Sequence, residues 1–177
     1  MTIQIGAKPD CGFDDPIGML IDCHRRIERF LHVLCTVANR ARNRALTDEE
    51  VIAVQSSIQY FRVGGLRHTA DEKESLFPRL RAKSIAGNFE EIGGLENDHR
   101  HANDLHTTVD ALYTAWIAAD HLNSEDEQRL RSATEQLKHL YQEHIQVEEK
   151  IVFPRAAEML DSGTITAIGQ EFHARRR

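Results

Sequence analysis

The apolar positions of this chain recur at spacings of three and four rather than two. Ile17, Leu20, Ile21, Ile27, Leu31 and Leu34 make one such stripe, which predicts a helix from about Pro16 to Arg42. Asp14-Asp15 ahead of Pro16 suits its start, because proline fits a first helical turn whose N–H groups have no intrahelical partner. Thr47-Asp48-Glu49-Glu50 reads as a capping box opening a second helix that runs to about Lys83, with Gly64-Gly65 and Pro78 expected to kink it. A third helix fits about Asn88 to His121. Ser124-Glu125-Asp126-Glu127 reads as a second capping box, opening a fourth helix to about Leu160, where Asp161-Ser162-Gly163 stops it. Thr164 to Arg175 is long enough for a short fifth helix across one end. The pattern therefore predicts an all-α chain. An irregular arm covers 1–15, an antiparallel up-down four-helix bundle 16–160, and a short C-terminal helix with a basic tail 161–177.

Composition agrees with one helical domain. The chain has 177 residues, 41% of them hydrophobic, enough for one core and too few for two comfortable ones. Glycine (10), proline (4) and aromatics (6%) are sparse, which favours helices over a sheet. A net charge of −6 argues against a surface built for nucleic-acid phosphates. The one dense basic run, Arg175-Arg176-Arg177, reads as a solvated tail without function. No stretch resembles a signal peptide or reaches the ~20 apolar residues of a membrane span, so the expected location is cytoplasmic. Cys11, Cys23 and Cys35 are odd in number and lack a CxxC pair, so no disulfide framework is expected, and Cys23 and Cys35 should pack in or beside the core.

The two halves of the chain repeat each other. HTADEKESLFPRL from His68 matches HIQVEEKIVFPRA from His144 at an offset of 76, and HRRIERF from His24 matches HRHANDL from His99 at an offset of 75. Each half thus supplies one helix carrying a histidine and one carrying His-x3-Glu, and two such hairpins related by an approximate twofold axis build a bundle whose core can hold metal. Residues four apart on a helix share a face, so His68 with Glu72 and His144 with Glu148 point the same way. Carboxylates can bridge two cations while imidazoles occupy outer positions, and a dinuclear cation offsets the cost of burying two glutamates. His24, His68, Glu72, His99, His144 and Glu148 are therefore the candidate metal ligands. His101 and His139 should face away from them. His32 and His106 lie two turns beyond His24 and His99, too far for one compact site, and His121 and His173 sit near helix ends. Phe77-Pro78 and Phe153-Pro154 should pack and bend the bundle rather than touch metal, and Tyr141 should pack in the core.

This arrangement, with Leu-Phe-Pro or Val-Phe-Pro after each ligand pair, resembles the hemerythrin-like (HHE cation-binding) family over about residues 16 to 160. The resemblance implies that His24, His68, His99 and His144 bind iron, that Glu72 and Glu148 bridge, and that the cofactor is two Fe ions in an oxo- or hydroxo-bridged centre, with zinc or another divalent cation possible in their place. Oxygen-carrying hemerythrins add a histidine four residues after the third-helix ligand and end with His-x4-Asp; here Asn103 and His144-x3-Glu148 stand instead. One iron then keeps an open or water-filled position, or takes an oxygen from Glu28, Asn103 or Glu149, Glu28 being the best placed. A ferritin-like site needs Glu-x-x-His on two helices, and only Glu96-x-x-His99 fits. The implied functions are binding or sensing of O2 or another small diatomic or peroxide ligand, turnover of peroxide or nitric oxide with iron-centre repair, or a structural metal site. No general base or substrate pocket can be read from the sequence, and neither can the oligomeric state.

Overall fold

The computed structural model describes residues 11–83 and 90–177, and among them there are helices and no strand. The first helix, α1, is Pro16–Arg40, capped by Asp15, whose carboxylate accepts from the Gly18 N–H at 2.9 Å. The second, α2 (48–83), is one continuous run in five pieces: Asp48–Tyr60, a π-helical turn Phe61–Gly65, Leu66–Ala70, a second π-helical turn Asp71–Leu76, and Phe77–Lys83. Thr47 and Glu50 cap it reciprocally, as their spacing predicts. Gly64-Gly65 and Pro78 do not interrupt it. The helix instead widens into π turns, one containing Gly64-Gly65 and one ending just ahead of Phe77-Pro78, and the second relieves the ladder where proline has no N–H to give.

The third helix, α3, is described as Glu90–Ala119, so its expected start at Asn88 lies outside the described residues. The fourth, α4 (124–159), runs Ser124–Val147, a π-helical turn Glu148–Val152, and Phe153–Met159. Its cap is Asn123 and not Ser124. The Asn123 side-chain oxygen accepts from the Asp126 N–H at 2.8 Å, one residue earlier than the capping-box reading. The fifth helix, α5, is Ser162–Ala174, and Asp161, read as part of a stop, is its N-cap.

α3 packs along α4, and α1 packs along α4 and α2, making the four-helix bundle, while α5 lies against α1 and the second π turn of α2. The apolar residues form two separate cores. One contains Ile27, Leu34, Val54, Tyr113, Trp116 and Leu137; the other contains Leu20, Phe77, Leu95, Phe153, Ile168 and Phe172. Between them lies a buried polar layer that includes His24, His68, Glu72, His144 and Glu148.

α5 also overturns the reading of the basic tail. Arg175 and Arg176 reach the fully buried Asp71, at 2.9 and 2.5 Å, so the tail closes over an acidic group next to Glu72 rather than waving in solvent. A buried carboxylate needs such partners. Cys23 and Cys35 are buried and free, as expected.

Candidate metal centre

Each half of the chain places its candidate glutamate where the helix leaves α geometry, while the four histidines lie in α-helical stretches. Glu72 lies in the π turn Asp71–Leu76, and Glu148 opens the π turn Glu148–Val152. In the first of these turns Asp71, Glu72, Ser75 and Leu76 are all buried.

The six candidate residues meet in two overlapping sets: His24, His68, Glu72 and Glu148, and Glu72, His99 and His144, with ligand atoms within 4.8 Å of one another in each. The histidines form two pairs, His24 with His68 at 5.0 Å between ring centres and His99 with His144 at 4.8 Å. Each glutamate reaches both pairs. Glu72 Oε1 is 3.0 Å from His68 Nε2, and its Oε2 is 3.2 Å from His99 Nε2. Glu148 Oε2 is 3.0 Å from His24 Nε2 and 3.4 Å from His144 Nε2.

These atoms converge without satisfying one another. The Nε2 of all four histidines and all four oxygens of Glu72 and Glu148 are buried without a hydrogen-bond partner. Unpaired buried polar atoms are costly, and eight of them aimed at one space fit a cation there. The protonation pattern carries the same strain. Burial, then the charge of Glu148, pushes Glu72 well above the usual carboxylate range. Burial, the largest single influence on Glu148, would raise it, but His144 and His24 together outweigh burial and hold Glu148 low. Burial would lower His144, yet Glu148 and Asp98 lift it to about 9. Burial, reinforced by the neighbouring imidazoles, keeps His68 low and pulls His99 to about 4.

Around this centre lie residues outside the six candidate ligands. The Glu149 carboxylate accepts from His24 Nδ1–H at 2.8 Å and is gripped by Arg25. Asp98 is 3.3 Å from His144 Nδ1. Phe153 stacks on His24 and Phe77 on His99, at 5.5 and 6.3 Å with rings within about 12° of parallel, so the Phe-Pro repeat touches the ligand imidazoles as well as packing the core. The internal repeat was a signal for the two phenylalanines. It was none for Glu149 and Asp98, whose repeat counterparts are Lys73 and Cys23.

The remaining candidates stay outside. Glu28, rated the best extra oxygen donor, is exposed and pairs with Arg25 instead. Glu149 stands behind His24, on the Nδ1 side, away from the cluster. Asn103 is exposed and lines a cavity beside His99. His32, His101, His121, His139 and His173 are exposed. His106 is half-buried and shares a 3.1 Å hydrogen bond with the buried Tyr141 hydroxyl, which therefore does more than pack.

Comparison with known proteins agrees with this geometry. An uncharacterised protein of Haemophilus influenzae is 28% identical over 166 residues, which cover 93% of this chain and 92% of the relative. The model of the hemerythrin HHE cation-binding domain matches residues 15–156, spanning all six convergent residues. The chain belongs to the hemerythrin HHE cation-binding domain family.

Proposed function

We propose that this chain holds two iron ions, one at each histidine pair with Glu72 and Glu148 spanning them, and that the centre binds or senses O2 or a related small oxidant. The carrying observation is that each glutamate reaches a histidine of both pairs, which suits bridging carboxylates rather than two independent sites. A bound iron pair supplies redox chemistry, one electron from each ion, that no side chain here has. The chain's own residues position and shield. Glu149 and Asp98 fix the rings of His24 and His144 through Nδ1, and Phe77 and Phe153 cover the outer faces of His99 and His24. The two apolar cores keep bulk water from both ends of the layer. Zinc or another divalent cation fits the same donors, and iron is favoured here by family membership.

A second reading is enzymatic: peroxide or nitric oxide turnover, or repair of iron centres. It is favoured by the cavity that reaches His99 on the side where Asn103 replaces a histidine, leaving room for an exogenous ligand. Both readings place the protein in the cytoplasm, with a small diatomic or peroxide ligand as its partner at the metal.

Anaerobic loading with ferrous iron, metal counted per chain and the visible spectrum followed on admitting air, tests the first reading. Two irons and a new visible absorption are expected; fewer than two, or an unchanged spectrum, sinks it. Glu72→Ala or Glu148→Ala should abolish two-iron loading and His101→Ala should not. Turnover of added peroxide or nitric oxide by the loaded chain separates catalysis from binding.

A further inference from the structure

α3 packs closely along α4 and α1 along α4 and α2, whereas α2 and α3 approach each other more loosely. A half-open cavity of about 560 Å³ lies there. On α3 it runs from His99 to Asp110, a helical rise of roughly 16 Å. Gly65, in the first π turn of α2, lines this space, and a Cβ there would make only ordinary contact with the Phe61 ring, at 3.4 Å.

Size decides between occupants. O2, peroxide or nitric oxide needs about the space of a water, ~30 Å³. Cavities for organic ligands span roughly 300–1,000 Å³. This one is more than ten times too large for the first and suits the second.

Its chemistry is mixed. At one end lies His99, whose side chain is 7% exposed; its Nε2 faces Glu72, and its Nδ1 is buried without a hydrogen-bond partner. Lys73 and Arg100, which directly follow Glu72 and His99 in sequence, place two cations at that end of the lining. The lining also carries an apolar set, Ile58, Phe61, Leu66, Ala102 and Val109, with Leu66 60% exposed. Its third cation, Arg62, is held by Asp110 through two 2.6 Å hydrogen bonds, and Asp104 is the other acidic group of the lining. The polar groups of the wall, the Tyr141 hydroxyl and His106 imidazole, satisfy each other.

We propose that this cavity binds an organic anion with an apolar body, its carboxylate or similar head group beside His99, Lys73 and Arg100 and its body along Phe61, Leu66 and Ala102. A cationic head would meet two like charges, and a wholly polar ligand would leave the apolar set without a partner. The inference deepens the metal-centre reading, because the head group lies on the side of the centre where Asn103 stands in place of a histidine.

The test is calorimetric titration of octanoate into the iron-loaded full chain, with octylammonium and acetate as probes lacking the right head or the body. Octanoate should saturate at one site, with both other probes at least about tenfold weaker. Lys73→Glu should weaken octanoate by about tenfold or more. Gly65→Leu, which fills the cavity, should do the same, and Leu66→Glu, at an exposed position that does not endanger folding, gives the equivalent reading. The inference falls if octanoate does not bind, if octylammonium binds as well, or if Lys73→Glu and Leu66→Glu leave binding unchanged. Iron counted on the same samples keeps the two claims apart. Two irons without octanoate binding overturns the cavity and leaves the metal centre standing, whereas octanoate binding without iron uptake does the reverse.

Discussion

His24 Nδ1 lies 2.8 Å from the Glu149 carboxylate, while the Nδ1 of His99, its counterpart in the internal repeat, has no hydrogen-bond partner and Lys73 stands at the position equivalent to Glu149. The repeat is thus symmetric in its ligands and broken in the groups behind them. Each histidine pair keeps one carboxylate, but Glu149 is closer than Asp98 is to His144 and less exposed, 23% against 38%. An outer carboxylate fixes the imidazole and raises its basicity, and its loss costs about 10- to 100-fold in metal affinity. Glu149→Gln should therefore weaken one of the two ions by about tenfold or more, and Asp98→Asn should weaken the other by less. Stepwise metal titration with elemental analysis checks the order; equal effects, or effects on both ions at once, would contradict it.

Metal uptake should release protons. At neutral pH the metal-free chain keeps a proton on His144, held at about 9, while burial and Glu148 push Glu72 above the usual carboxylate range. Ligation needs the carboxylate and the neutral imidazole, so the His144 proton leaves, with any that Glu72 carries. Loading at pH 7 in buffers of different ionisation enthalpy should show proton release on metal uptake, and affinity should rise with pH between 7 and 9. Calorimetry showing no buffer dependence would exclude this protonation pattern.

The sequence made the centre legible because its signals are periodic. His68 with Glu72 and His144 with Glu148 lie one turn apart, and the same register recurs after 76 residues, so face and symmetry followed from spacing alone. What stayed hidden depends on contacts between distant segments. Asp71 is separated from its partners Arg175 and Arg176 by more than 100 residues, and nothing local marks a terminal arginine triplet as the cover of a buried carboxylate. Glu149 points toward α1 because the π turn beginning at Glu148 rotates it there, and a register change of that kind leaves no mark on an apolar stripe that resumes afterwards. The cap at Asn123 was missed by one residue because Ser124 and Glu127 mimic the box pattern.

Truncation after Ala174 should strip the buried Asp71 of both arginine partners. Removing one side of a buried ion pair costs about 3–5 kcal/mol, because the remaining charge is left unpaired in a dry environment. The truncated chain should lose about 3 kcal/mol or more in urea unfolding. Adding Asp71→Asn should recover part of that loss by removing the stranded charge. Full stability in the truncated chain, or no recovery with Asp71→Asn, would mean that the tail does not serve as a cover.

His106 should make the metal-free chain sensitive to acid over a defined range. Burial pulls its pKa down to about 4 from an ordinary value near 6.5, so between those values the unfolded chain takes up a proton that the folded chain resists. A histidine lowered in this way adds nothing to the pH dependence above about 6.5, and stability is lost as pH falls from there toward 4. The loss assigned to His106 is on the order of 2–3 kcal/mol. His99 is pulled down to a similar value and burial holds His68 low, so both act in the same direction and share the wild-type slope with His106. His106→Gln isolates the first contribution, because the amide can keep the contact with the Tyr141 hydroxyl but does not titrate. Urea unfolding at intervals from pH 4 to 7 should give a shallower slope in the variant and the same stability at pH 7. Parallel curves would show that the His106 imidazole takes up its proton as readily in the folded chain as in the unfolded one.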